Sequence, residues 1–262
     1  LETDGNRVVL EQIVRQAEGS PIIAASMLVR ERRIREALKA LPRVEPGLAR
    51  PAAARQIETG GMVVCHTNRL RRRVNAHIRQ LRGYGSGLVP GEPFMVTENC
   101  YPLGVYNGDR ITFTGWEREP EPHDIRDRKT EGRARVHYGI GIFATDDDLG
   151  ERRAVVLLEE AEGRLEKDRD GIEWIPGTRV RAWSAFGWKE HWARVTRAPP
   201  GLPMLHGEYG YCMTTHKCQG GQWPRVLVLL ERSVRLGSEE GARWLYVAVT
   251  RAEKHVTICD LR

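Results

Sequence analysis

Two stretches near the C-terminal end carry residue types suited to holding phosphate. Gly210–Trp223 reads GYCMTTHKCQGGQW. Thr214, Thr215, His216 and Lys217 bring hydroxyls, an imidazole and a fixed charge, and the glycines bring bare backbone N–H groups. Such donors grip a phosphodiester or a nucleotide phosphate. About thirty residues later, Leu245–Ile258 reads LYVAVTRAEKHVTI. Arg251 there follows an apolar helix and precedes a strand, which predicts a domain-edge position. A permanently charged, planar guanidinium at an edge can reach a phosphate held elsewhere. A third concentration of charge lies between Glu58 and Glu92, a window with no acidic residue inside it. Arg69, Arg71, Arg72, Arg73, Arg79 and Arg82 fall there, and we expect phosphate contacts from this helix, through Arg72 and Arg73 above all.

The cysteines point away from metal and disulfide chemistry. Cys65, Cys100, Cys212, Cys218 and Cys259 are odd in number, and no pair is spaced C-x-x-C. Cys212, His216 and Cys218 lie close in sequence, but buried thiols explain them better than a metal site does.

The elements that must position these residues alternate in type. Ser20-Pro21 marks a helix start, and the pattern extends that helix to about Leu41, where Pro42 stops it. Residues 41–51 read as a Pro-rich connection. Met62–Cys65 is a short buried strand, and Leu70, Val74, Ile78 and Leu81 recur at helical spacing, with Thr67 or Asn68 as N-cap. From Phe94 to about Arg197 the pattern turns to short β runs. These are Phe94–Thr97, Arg110–Thr114, Val136–Ala144, Arg153–Glu159 and Arg179–Trp183. Asn107-Gly108 is a two-residue hairpin signal, and the charged, proline-bearing stretch 117–135 reads as a mobile loop. Five of seven tryptophans fall in this region, where they are expected to fill a small barrel rather than stack on bases. Val226–Leu230 and Val256–Cys259 read as buried strands flanking a helix over 243–250.

Composition bounds the reading. The chain has 262 residues, 41 Lys+Arg against 35 Asp+Glu, a net charge of +6 and 40% hydrophobic residues. An ordinary apolar fraction excludes disorder as a description of the whole chain. The longest apolar runs fall far short of the ~20 residues of a membrane span. Leu1–Leu10 lacks the apolar core of a signal peptide. A cytoplasmic protein with no membrane partner is expected, and the basic excess suggests an anionic one.

Taken together, these stretches resemble the C-terminal half of superfamily 1 DNA helicases, in particular the RecD-like and Dda-like group. Thr214, His216, Lys217, Gln219 and Gly220 resemble the family's fifth motif, T-x-H-K-x-Q-G. Leu245, Tyr246, Ala248, Thr250, Arg251 and Ala252 resemble the sixth, L-Y-x-A-x-T-R-A. Residues 10–17 followed by Ser20-Pro21-Ile22-Ile23 are similar to the fourth. Thr67-Asn68 resembles the family's DNA-contacting turn, and residues 103–109 the opening of its inserted barrel.

The resemblance implies an α/β fold, a RecA-like parallel-sheet domain of the P-loop NTPase type, interrupted by a small β-barrel of the Src-homology type. Residues 1–88 and 206–262 would form the first and 89–205 the second. It implies that Arg15 and Arg251 act on the γ-phosphate of ATP, with Gln16, Gly220 and Gln222 on the nucleotide side. Family members often carry an acidic residue where this chain has Gln222. It implies a single-stranded DNA track over Thr67, Asn68, Thr214, Thr215, His216 and Lys217, and a coupling role for Gln219. ATP and Mg2+ would be held mainly by a first RecA-like domain, the implied partner within the same protein. Repair or recombination proteins are further expected partners.

The chain begins without Met and contains no G-x-x-x-x-G-K-[ST] phosphate loop. The expectation is a piece of a longer helicase that starts just after the third motif and is inactive alone. Two other readings remain: a non-catalytic single-stranded nucleic-acid-binding module, and the helicase part of a conjugative relaxase.

Overall fold

Our computed structural model describes residues 3–4, 7–8, 20–85, 87–126, 133–145, 150–157, 166–167, 173–174, 202–218 and 221–262. In chain order the elements are β1 (Thr3–Asp4), β2 (Arg7–Val8), α1 (Pro21–Arg30), α2 (Ile34–Ala40), β3 (Arg43–Val44), α3 (Ala49–Glu58), β4 (Met62–Cys65), α4 (Asn68–Leu81), β5 (Pro93–Val96), β6 (Arg110–Arg126), β7 (Arg133–Ala144), β8 (Glu151–Leu157), β9 (Glu166–Lys167), β10 (Glu173–Trp174), β11 (Met204–Leu205), β12 (Gly207–Tyr209), β13 (Cys212–Thr214), β14 (Trp223–Leu230), α5 (Glu239–Val249) and β15 (Ala252–Asp260). They form two compact units, residues 1–71 with 213–262 and residues 72–212.

The first unit is built on a five-stranded sheet in the order β13-β4-β14-β15-β3. β4, β14, β15 and β3 pair in parallel, with Val226 opposite Met62 and Leu230 opposite Asp260. Parallel strands covered on both faces read as unbroken apolar runs. Met62–Cys65 and Val226–Leu230 are buried throughout, as that rule demands. Helices α1 and α5 pack against each other, and α5 also packs on β14 and β15. Ile22, Ala25 and Val29 of α1 and Leu245, Ala248 and Val249 of α5 complete the core. Ser20 caps α1 by accepting the Ile22 N–H at 3.3 Å, with Pro21 in the first turn.

The helix expected over 21–41 is two helices. Arg32 between them has φ of 65°, the left-handed region, which breaks the run of backbone bonds. Its guanidinium donates to Gly237 O and Ser238 O at 3.0 and 2.9 Å, a tertiary tie that holds the break. The expected connection over 41–51 holds β3, a 3-10 turn at Pro46–Leu48 and the start of α3. Residues 10–17, which resemble the fourth motif, lie outside the described residues.

The second unit carries a six-stranded sheet ordered β11-β8-β7-β6-β5-β12. Its two edge strands are neighbours in the chain, since His206 alone separates Leu205 from Gly207. A sheet whose edges are one residue apart must curl until they nearly meet, so it is barrel-like. Its interior holds Phe94, Phe113 and Phe143, and Trp116 packs on Phe113 at 4.8 Å between ring centroids. The fold class is therefore as expected: α/β, a RecA-like parallel sheet interrupted by a barrel-like insert.

Two local expectations fail in this unit. The charged stretch 117–135 is not a loop where described. β6 and β7 pair antiparallel out to Arg126 opposite Arg133. Pro120 is accommodated because the register shifts between Arg118 and Glu121, and a bulge is where a strand tolerates proline. Glu117 and Arg153 add an ion pair. Asn107-Gly108 does make a turn, with Gly108 at φ of 101°, but it does not join a hairpin of its flanking residues. Val105 bridges to Cys100, and β6 pairs with β5 instead. The β run expected over 179–183 lies outside the described residues.

Among the described residues no helix is long and apolar enough to cross a membrane.

Candidate nucleic-acid interface

In open parallel sheets, ligands bind outside the carboxyl ends of the strands. In the first unit that edge is formed by the residues after β4 and β14, beside those after β13. β4 ends at Cys65 and runs through His66 and Thr67 into α4. β14 ends at Leu230 and delivers Glu231 next to that turn. The Glu231 carboxylate accepts the His66 N–H at 2.8 Å, the Thr67 N–H at 2.8 Å and the Thr67 hydroxyl at 2.5 Å. The Thr67 oxygen in turn accepts the Leu70 N–H at 3.2 Å, so Thr67 caps α4. Its single hydroxyl proton is thus committed to Glu231. Asn68, by contrast, is exposed. Nothing in the sequence motifs marks Glu231; only its place straight after a buried strand, at the ligand edge of the sheet, could have.

The stretch after β13 runs from this edge to the start of β14. Thr214 and Thr215 are buried, and Thr215 donates its N–H and hydroxyl to Cys65 O at 3.1 and 3.3 Å. These two threonines fix the backbone, while His216 is exposed and Lys217 half-buried. Lys217 N–H and Cys218 N–H both return to Thr214 O, making a tight turn. Burial pushes the Cys218 thiol up to about 12, against the pull of nearby Arg251, so it stays protonated at neutral pH. All five cysteines are buried with free thiols.

The far end of the stretch meets Arg251. This residue is 8% exposed, not an open edge charge as its sequence position suggests. Its Nη1 donates to Cys218 O at 3.3 Å and Gly221 O at 3.1 Å, and its Nε to Val247 O at 3.2 Å. Trp223 N–H closes the link on Arg251 O at 3.0 Å. The two sequence motifs are therefore one structural piece. Nη2 has no hydrogen-bond partner among the described residues, so the guanidinium is held from one side by neutral carbonyls. Gln222 is half-buried and lies between Gly221 and Trp223, the two residues bonded to Arg251. Arg15, Gln16, Gln219 and Gly220 lie outside the described residues.

At the same sheet edge a cavity of about 420 Å³ opens between the turns after β4 and β13, the β14–α5 connection and the first turns of α5. His66, Ser233, Arg235, Arg243, Trp244 and Val247 are among its walls. The His66 ring stands edge-on to Trp244 at 5.7 Å and shares a 2.9 Å hydrogen bond with Ser233 Oγ.

The arginines of α4 divide by face. Arg69, Arg72, Arg73 and Arg82 are exposed. Arg71 and Arg79 are buried, which removes them from the expected phosphate-contacting set. Arg79 pairs with the fully buried Glu92, whose carboxylate also takes the Tyr211 hydroxyl at 2.7 Å and the Val89 N–H at 2.8 Å. The acid-free window thus ends on the acid that neutralises one of its arginines.

Comparison with solved structures finds Pif1 helicases. One from Bacteroides, in complex with ADP-AlF3 and ssDNA, is 12% identical with a TM-score of 0.45, over 94% of this chain and 50% of that one. Pif1 helicase from Candida albicans is 14% identical with a TM-score of 0.45, over 95% and 55%. The chain spans about half the length of these structures. No curated protein matches. Residues 209–259, which carry the Thr214–Gly221 stretch, α5 and Arg251, match the UvrD-like helicase C-terminal domain.

Proposed function

We propose that this chain is the C-terminal part of an ATP-dependent DNA helicase of the RecD-like group, which translocates on single-stranded DNA. The observation that carries the reading is the bonding of Arg251 to Cys218 O and Gly221 O. It ties a charge suited to a γ-phosphate to a stretch whose other end, at Cys65, carries His216 and Lys217. A change at either end is then felt at the other.

Within this reading Arg251 stabilises the charge that develops during phosphoryl transfer. Held by three carbonyls, its guanidinium needs no reorganisation, and preorganised charge is what such catalysis requires. Its Nη2, without a partner among the described residues, is the donor left for an incoming phosphate. ATP with Mg2+ supplies the transferable phosphoryl group when a first RecA-like domain binds it. Arg15 is the second arginine on that phosphate, with Gln16, Gly220 and Gln222 nearby and Gln219 coupling the two ends. On the DNA side Asn68, His216 and Lys217 offer donors to the strand. Thr67, Thr214 and Thr215 shape the turns that present them, and Arg72 and Arg73 add backbone attraction.

The test is made in the helicase assembled with its first RecA-like domain. Arg251→Ala and Arg15→Ala should each cut ATP turnover on the order of 10³-fold, with single-stranded DNA affinity nearly unchanged. Arg251→Lys should not restore turnover, because an ammonium cannot make the forked bonds. Normal turnover with lost DNA binding would overturn the assignment. The 262-residue chain alone should bind single-stranded DNA in a salt-sensitive manner and turn over no ATP.

A further inference from the structure

We propose that the cavity at the first unit's carboxyl edge is a subsite for one nucleotide of the single strand, base and phosphate together. The proposal rests on the strand-track reading above and extends it to Arg235, Arg243 and Trp244, which no motif covers. The cavity's volume, about 420 Å³, lies in the range of small-molecule sites. Its chemistry is two-sided. His66, Trp244, Val234 and Val247 supply an aromatic and aliphatic wall of the kind a base packs against. Arg235 and Arg243 supply guanidinium groups for a phosphate.

The charges are available. Arg235 is exposed and has no carboxylate partner among the described residues. Arg243 meets only Glu239, at 2.6 Å and on the exposed face of α5, a weak pair that a phosphate can replace. Glu240 is the single carboxylate in the lining.

A second observation is independent of these charges. Trp244 is 6% exposed, and its indole N–H is buried with no hydrogen-bond acceptor among the described residues. A buried donor left unmade is costly, and such groups mark places where an acceptor belongs. Thr215 and His216 also line the cavity, so it opens directly onto the turn assigned to the track.

The experiment uses the 262-residue chain, uniformly 15N-labelled, with (dT)8 and dTMP as probes. The Trp244 indole resonance is identified by its loss in Trp244→Phe. We expect (dT)8 to shift that resonance. Arg235→Glu, at an exposed site that leaves the fold intact, should weaken (dT)8 binding about tenfold and suppress the shift. If Lys217→Glu weakens (dT)8 while Trp244 stays still and Arg235→Glu binds normally, the subsite is wrong and the track stands. If the native chain fails to bind (dT)8, both are wrong. A shift with dTMP but none with (dT)8 would assign the cavity to a free nucleotide and overturn its place on the strand.

Discussion

Glu231 holds three donors with one half-buried carboxylate. Its removal should therefore be felt in the turn rather than in the sheet. Glu231→Ala leaves the His66 and Thr67 N–H groups to find water, and we expect a loss of about 1–3 kcal/mol in urea unfolding. Thr67→Val should couple to it in a double-mutant cycle by at least ~0.5 kcal/mol, because the two share a hydrogen bond. Additive losses would mean that the carboxylate acts elsewhere. The residue scale is also where sequence reasoning stops soonest. The resemblance puts Thr67 in a DNA-contacting turn, and the helical pattern offers it as an N-cap. Its hydroxyl proton goes to an acid 164 residues away, and no local pattern carries that fact. Arg251 was legible in identity and neighbourhood but not in burial, since its carbonyl partners come from another stretch.

At the scale of elements, what one segment needs was readable, and what two segments share was not. The Ser20-Pro21 start, the run Met62–Cys65 and the Leu70–Leu81 periodicity depend on adjacent residues, and each appears in place. The break at Arg32 depends on carbonyls more than 200 residues away, and the length of β6 depends on its pairing with β7. Helix α4 shows the same division within one element. Its charge looked uniform, yet Arg79 lies buried against Glu92, with its Cζ 3.9 Å from the Tyr209 ring centroid. Glu92→Leu should destabilise by about 3–5 kcal/mol, because it strands a buried guanidinium. The double variant Arg79→Met with Glu92→Leu should recover only part of that loss, since it removes the stranded charge but leaves the Tyr211 hydroxyl and the Val89 N–H without their acceptor. Denaturant midpoints at constant m-value would check both.

For the whole molecule the question is where a modest net charge of +6 acts. Exposure narrows the helical contribution to Arg69, Arg72, Arg73 and Arg82. Arg72→Glu combined with Arg73→Glu should weaken single-stranded DNA binding uniformly across sequences. It should also flatten the plot of log affinity against log salt by about 1–2 in slope. Binding titrations from 50 to about 200 mM salt would show it. An unchanged slope would move the strand away from α4.

The near-closure of the second unit's sheet also has a meaning in time. Its last strands, β11 and β12, lie some fifty and more than one hundred residues beyond their partners β8 and β5. During synthesis those partners leave the ribosome well before anything can cover them. Until Met204–Tyr209 arrives, the sheet presents two open edges, the form most prone to pairing with another chain. Two strands of two and three residues, joined through His206, thus cover those edges only when nearly the whole unit has been made.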